Sequence, residues 1–287
     1  MASPKTVAAI VTFNPDPQRL KDNLETLPPQ VDELLIIDNG SNNLAEIRAL
    51  INELECPHLI ANGINRGISG ALNQAMEWSE GRGAGWVLLL DQDSVLAPGS
   101  VAILGKALKP GVAVASPAIV DRNNSATHSP EGGQQQVDYC ITSGSLCDIS
   151  AWRTVGGYDE TLFIDFVDFD YCIRLRMLGY SLVRDGDAVL LHEIGRITKH
   201  GRLTAYNHSA FRLRHMANDM LAYAHKHRKS PAHLKVHQRG IFGTYAVFAA
   251  KALVIFLFED SKVHKFKALA AGSAVGTLNL IRRSIGN

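Results

Sequence analysis

Over the first hundred positions, short apolar runs alternate with stretches in which apolar residues fall at helical spacing. Residues 7–13 are apolar and rich in β-formers and end at Asn14 and Pro15, which predicts a buried strand stopped by a turn. Residues 16–27 carry Leu20, Leu24 and Leu27 on one helical face, and Pro28 and Pro29 end that helix. The pattern repeats with a strand at 33–37, a D-N-G-S turn at 38–41, a helix at 43–54, a short strand at 58–61 and a helix at 67–78. Residues 86–90 form a strongly apolar strand, followed at once by Asp91, Gln92, Asp93 and Ser94. Three β-α units thus precede an acidic turn, and this rhythm predicts parallel strands covered on both faces. Ligands of such open sheets bind beyond the carboxyl ends of the strands. The polar turns 12–14, 38–41 and 91–94 all lie at such ends and are expected to share one crevice.

After residue 100 the rhythm changes. Residues 112–120 and 137–142 predict strands, and between them 121–136 reads as a polar loop able to move. Helices are expected at 149–155 and 168–178, and a short strand at 188–191 that ends at His192. Residues 210–229 predict a basic helix, and 266–281 a last helix before Arg282 and Arg283. Residues 241–258 are apolar except for Lys251 and reach the length of a membrane span. A central lysine costs about 3 kcal/mol in a span, so a helix lying at an interface or packed on a neighbour is expected instead. The chain divides into an α/β catalytic region, 1–205, and a basic amphipathic helical region, 206–287.

Charge sharpens that division. Residues 1–195 hold 13 Lys and Arg against 25 Asp and Glu, a net of −12. Residues 196–287 hold 16 against 3, a net of +13, with eight of the eleven histidines. This polarity points to an anionic partner for the C-terminal region, a membrane surface or nucleic acid, with a basic surface facing the acidic region of the same chain as the plain alternative. A membrane surface is expected and nucleic acid is not, and 241–258 could instead make a homodimer interface. The remaining composition is that of an ordinary globular protein. Cys56, Cys140, Cys147 and Cys172 lack metal-binding spacing and read as reduced thiols, and no export signal opens the chain, so a cytoplasmic protein, peripheral on the inner face of the membrane, is expected. No G-x-G-x-x-G, P-loop or G-x-S-x-G occurs, which argues against NAD enzymes, P-loop NTPases and α/β-hydrolases.

Asp91 and Asp93 make a concentrated negative site, and Mg²⁺ or Mn²⁺ prefers such hard oxygen ligands together with substrate phosphates. Capping of the helix near Gly99 by Asp93 or Ser94 is the plain alternative. A strand followed by Asp-x-Asp also fits a haloacid-dehalogenase-type phosphatase, with Asp91 as the nucleophile. Asp165, Asp168 and Asp170 lie among aromatic and aliphatic residues, where a carboxyl pKa rises and suits a general base. Acids at a helix start would equally favour the helix dipole. His192 is a candidate metal ligand, and Arg66, Lys199, Arg202 and Arg212 are cations able to meet a diphosphate.

The order of these pieces resembles family 2 inverting glycosyltransferases of the GT-A fold, and within them bacterial rhamnosyltransferases. The segments that carry the resemblance are V-T-F-N-P (11–15), I-I-D-N-G-S (36–41), N-R-G-I-S-G-A-L-N (65–73), L-L-L-D-Q-D-S (88–94), T-S-G-S-L (142–146), the run 156–175 with F-I-D-F-V-D-F-D, and H-E-I-G (192–195). It implies a Rossmann-like, nucleotide-binding mixed sheet with helices on both faces, followed by the helical C-terminal region. It implies that Thr12, Asn14 and Asp38 line the base and ribose pocket, with Asn65 and Gly67 near the nucleotide. Asp91 would contact ribose or a metal-bound water, Asp93 would bind a divalent metal, Mg or Mn, and His192 would add a metal or diphosphate contact. Asp168 takes the place of the general base, with Asp165 and Asp170 as alternatives because Val167 replaces an expected acid. Ser143, Gly144 and Trp152 would border the acceptor. The implied donor is dTDP-L-rhamnose and the implied acceptor a glycan or lipid-linked hydroxyl of the cell envelope or of a polysaccharide. A non-catalytic nucleotide-sugar-binding module is a further alternative.

Overall fold

The computed structural model describes residues 5–53, 58–122, 131–192, 198–200 and 203–285. Cys56, Arg202, Glu193 to Gly195 of the H-E-I-G segment and the centre of the 121–136 loop lie outside the described residues, as does the side chain of Lys199. The described chain divides into two compact units, residues 1–158 with 171–193, and residues 159–170 with 194–287.

In the first unit the elements run β1 (Lys5–Thr12), α1 (Pro17–Thr26), β2 (Glu33–Asp38), α2 (Leu44–Glu53), β3 (His58–Ala61), α3 (Gly67–Gly81), β4 (Ala84–Asp91), β5 (Val95–Leu96) and α4 (Ser100–Gly105). They continue with β6 (Val112–Asp121), β7 (Gln134–Gln136), β8 (Ser145–Asp148), α5 (Ile149–Val155), α6 (Val167–Met177), which begins in the second unit, and β9 (Ser181–His192). One sheet takes the order β3-β2-β1-β4-β8-β6-β9-β5, with β7 on β9. β1, β2, β3 and β4 pair in parallel, as the β-α rhythm demands. β8 then runs antiparallel to both β4 and β6, which makes the sheet mixed. Alternation along the strands decides the two faces. Ala8, Ile10, Leu34, Ile36, Leu88 and Leu90 pack with Leu20 and Leu24 of α1, Ile47 of α2 and Leu104 of α4. Val7, Ala9, Leu35, Ile37, Val87 and Leu89 point the other way, where α3 and α5 touch the sheet.

Residues 137–142 are not a strand. Val137 N–H still donates to Leu182 O, but Arg176 then takes over, donating to the Asp138 backbone carbonyl and pairing with its carboxylate at 2.7 Å. The chain next turns through Gly144 at φ +77, and the strands form on either side of the expected one, as β7 and β8. Part of the expected loop is therefore β7, and the short strand expected at 188–191 is the end of the twelve-residue β9.

The second unit holds β10 (Thr198–His200), β11 (Leu203–Ala205), α7 (Ala210–Lys226), α8 (Gly240–Phe258) and α9 (Lys262–Ile285). Ser209 caps α7 by accepting from Arg212 N–H. Leu213, Met216, Ala217 and Leu221 of α7 pack with Phe248 and Ile255 of α8 and with Leu269 and Leu280 of α9. α7 and α9 approach closely because α9 offers glycines: a Cβ on Gly272 would collide with the Arg214 carbonyl, and one on Gly276 would lie 2.8 Å from Leu221 Cδ1. Residues 159–170, expected within the 1–205 region, group instead with these helices, and the expected boundary at 205/206 falls at 193/194. The reason is polar: α7 holds the segment through Lys226 on Asp159, Asp219 on the backbone of 163–165, and His227 on Asp170.

Two outcomes follow for stability. Gly272→Ala forces α7 and α9 apart and is expected to cost about 1–3 kcal/mol, whereas Gly81→Ala, with open space around it, gains up to about 1 kcal/mol; urea denaturation of both variants checks the contrast. Burial, then the cations Lys251 and Arg212, pull the His208 imidazole from 6.5 to about 4. The folded state thus binds fewer protons, so the stability present above about pH 6.5 is lost as pH falls toward 4. His208→Gln should flatten the melting temperature across that window.

Candidate active site

Register brings the first group of residues together. Thr12 of β1 stands opposite Asp38 of β2, and Val11 opposite Asp91 of β4, so three carboxyl ends finish at one level. Thr12 Oγ1 donates to Asp38 Oδ1 at 3.3 Å, and Asp38 Oδ2 accepts from Gly40 and Ser41 N–H, both at 3.1 Å. Thr12 and Asp38 are fully buried, and they spend their polar atoms on each other and on the turn. They hold the turn at the strand ends in shape. Asn14, exposed and at φ +49, accepts from Asn42 N–H, while its own N–H donates to Ser41 Oγ. Gly40 lets this turn approach the next loop: a Cβ there would sit 2.8 Å from the Ile64 carbonyl carbon.

Asn39, which the sequence reading passed over, ties the next loop in. Its Nδ2 donates to Asn65 Oδ1 and to Gly67 O, both at 3.0 Å, and its Oδ1 accepts from Arg66 N–H. Asn65 Oδ1 also accepts Gly67 N–H at the start of α3. Thr12, Asn14, Asp38, Asn65 and Gly67 thus belong to one connected set of turns.

Asp91, Asp93 and His192 form the second group. Each is half-buried and offers one ligand atom, all within 4.8 Å of one another. Gln92, between the two acids, fastens this turn to the end of β1: its Oε1 accepts Phe13 N–H at 2.7 Å, and its Nε2 donates to Phe13 O. Below the acids runs a line of hydroxyls. Asp91 N–H donates to Ser143 Oγ at 3.0 Å, Ser143 Oγ donates to Ser94 Oγ at 2.8 Å, and Ser94 Oγ shares a 2.8 Å hydrogen bond with His192 Nδ1. Neither Asp93 nor Ser94 caps a helix, because β5 intervenes before α4, whose N-cap Gly99 has no side-chain bond. Two carboxylates and an imidazole fit Mg²⁺ or Mn²⁺ better than a soft metal.

The residues expected beside an acceptor are otherwise engaged. Ser143 is the buried start of the hydroxyl line. Gly144 packs under Pro117 and Leu190, 2.9 and 3.0 Å from where its Cβ would be. Trp152 is buried and donates its indole N–H to Asn73, which also accepts Tyr158 N–H. All three are buried within the first unit.

The second unit holds the remaining acids. Phe166 adopts φ +67, a strained conformation for a bulky residue, and Asp168 and Asp170 follow in the first turn of α6. Asp219 Oδ2 collects the N–H groups of Phe163, Ile164 and Asp165 at 2.9–3.1 Å, and its burial raises its pKa against these bonds. Asp170 is fully buried between Lys226 at 2.7 Å and His227 at 2.8 Å, so it anchors the helix and is closed to a reacting proton. Asp165 pairs with Arg212 at 2.8 Å. Asp168 remains half-buried. Asp219 and His227 were missed because nothing in their local sequence marks them; their partners lie over fifty residues away.

Comparison with known proteins adds identity to this geometry. The family model described as "Glycosyl transferase family 2" matches residues 8–173. The chain is similar to the dTDP-rhamnosyl transferase RfbF of Shigella flexneri, 28% identical over 205 residues, 66% of this chain and 69% of that protein. Its fold is similar to the crystal structure of S. aureus TarS 1–349, with a TM-score of 0.59 at 11% identity, covering 93% of this chain and 80% of that one. It is also similar to GalNAc-T7 crystallised with UDP, GalNAc and Mn²⁺, with a TM-score of 0.54 at 15% identity, covering 66% of this chain but only 43% of that one. At such identities the two structures speak for the fold alone, which is GT-A. The family match covers more than half of the sequence, from β1 into α6, and the chain belongs to glycosyl transferase family 2.

Proposed function

We propose that this chain transfers L-rhamnose from dTDP-L-rhamnose to a hydroxyl of a cell-envelope glycan or polysaccharide, with inversion and with a divalent cation. The observation that carries the reading is the Asp91, Asp93 and His192 group at the strand ends, next to the turns fixed by Thr12, Asp38 and Asn39. The name of the Shigella relative supports the donor, and the Mn²⁺ in the GalNAc-T7 crystal supports the cation. The phosphatase alternative loses its ground with family membership.

In this reading the turns 12–14, 38–41 and 62–67 hold the nucleoside. Asp93, Asp91 and His192 hold Mg²⁺ or Mn²⁺, which when bound neutralises charge on the diphosphate. Asp168 accepts the proton of the acceptor hydroxyl as that oxygen bonds to the anomeric carbon. The bond from that carbon to the diphosphate oxygen breaks on the opposite side, and its electron pair leaves with the nucleotide. Asp168 holds the position that the family resemblance gives the base and is half-buried in the first turn of α6, whereas Asp170 is fully buried.

Thermal shift tests the site. dTDP with Mn²⁺ should raise the melting temperature by a few degrees, as about 2.7 kcal/mol of stabilisation at a hundredfold excess over Kd implies. Asp93→Asn should lose the metal-dependent part, while Glu77→Gln on the exposed face of α3 keeps it; an unchanged shift in Asp93→Asn would remove that residue from the cation site. Asp168→Asn should keep the shift and lose turnover by roughly a hundredfold or more, and full activity in that variant would reassign the base.

A further inference from the structure

α8 is apolar on both sides. One side, Thr244, Phe248 and Ile255, is buried in the second unit. The other carries Phe242, Tyr245, Leu253, Phe256 and Leu257, with alanines at 246, 249 and 250, at helical spacing along the whole length. Phe242 is 93% exposed and Phe256 68%. α9 repeats the arrangement with Val263, Phe266, Val275, Leu278 and Ile281, all exposed. The two stripes adjoin: Tyr245 Oη and Thr277 Oγ1 share a 2.6 Å hydrogen bond, and Lys262 Nζ lies 5.8 Å from the Phe256 ring centre. A soluble protein rarely leaves a contiguous apolar surface of this extent uncovered.

The charges around the stripes identify what covers them. Exposed Arg239 precedes α8, Lys262 and Lys267 stand at the start of α9, and Arg282 stands near its end. The buried acid nearby, Glu259, is taken by Lys265 at 2.7 Å, which leaves Asp260 as the exposed acid at the junction. A second copy of this surface would set like charges against like, whereas interface cores are depleted of charge. Anionic headgroups complement them.

We propose that α8 and α9 dock on an anionic lipid surface, their stripes in the boundary between headgroups and acyl chains and their lysines and arginines on lipid phosphates. The helices lie along the surface and do not cross it. α8 has the length and mean hydropathy of a span, but Lys251 stands at its middle on the inner side, half-buried, with its ammonium 5.4 Å from the Tyr206 ring. Burial lowers the Lys251 pKa, as expected of an amine enclosed by protein. A charged group at such a depth is strongly disfavoured in lipid.

The proposal stands on the second unit alone. Its test contains neither nucleotide nor sugar, so its failure and that of the glycosyl-transfer reading are distinguishable. The full chain is sedimented with vesicles of phosphatidylcholine, and of phosphatidylcholine with phosphatidylglycerol. Binding to the anionic vesicles should exceed binding to the neutral ones by tenfold or more, and salt should weaken it. Lys262→Glu with Lys267→Glu should lower it by about tenfold or more, each cation being worth about fivefold. Phe242→Ser with Phe256→Ser should abolish it while the circular dichroism and melting temperature stay unchanged. Equal binding to both vesicles would overturn the proposal. So would a stable dimer, by light scattering, that Phe242→Ser dissociates, because a second copy would then be the cover. Release that requires detergent would also overturn it, in favour of a span.

Discussion

Three parallel strands in register, with β1 between β2 and β4, set Thr12 against Asp38 and Val11 against Asp91, and the chemistry of the first unit hangs from that alignment. A slip of one residue would turn Ile10, Ile36 and Leu88 out of the core and carry the acids to the wrong face. The hydrophobic core therefore secures the site: the burial that favours one register also delivers the polar ends. Side chains then lock the turns together, with Gln92 joining the β4 turn to β1 and Asn39 joining the β2 turn to α3. Bonds from amide side chains to backbone suit this task, since they fix loops without adding charge beside Asp91 and Asp93.

The second unit solves the opposite problem. Its sequence is strongly cationic, yet it must hold an acidic segment without neutralising all of it. It does so through specific ion pairs, two of which share Lys226. Asp159 and Asp170 go to Lys226 and His227, and Asp165 goes to Arg212. Asp219, itself an acid, grips the backbone where the segment turns. A buried carboxylate that meets three N–H groups offsets much of its desolvation through charge-assisted bonds, and the strained Phe166 just beyond is the kind of conformation that only such over-determination maintains.

Much of this was legible in the sequence. The β-α units to residue 91 were readable because apolar runs and helical spacing are local signals, and the three polar turns do meet at the strand ends as expected. The 137–142 segment misled because alternating Val137, Tyr139 and Ile141 imitate a strand, while Arg176, distant in sequence, decides where its backbone bonds go. Trp152 and Gly144, expected beside the acceptor, are packed against Asn73, Pro117 and Leu190, contacts no local signal announces. Asp170 and Asp168 look alike in sequence, two acids in the first turn of α6, and it is Lys226 and His227 at the end of α7 that enclose Asp170. Residue type signals what chemistry is possible; burial, which is full at Asp170 and partial at Asp168, is set by the fold.

The hydroxyl line under the acids has one more implication. Ser94 Oγ already accepts from Ser143 and carries a single proton of its own. If that proton goes to His192 Nδ1, the other ring nitrogen bears hydrogen and is a donor suited to an anion. If Nδ1–H donates to Ser94 instead, the other nitrogen keeps its lone pair for a cation. One imidazole thus has two electrical uses, exchanged by a tautomer shift with no movement of the backbone.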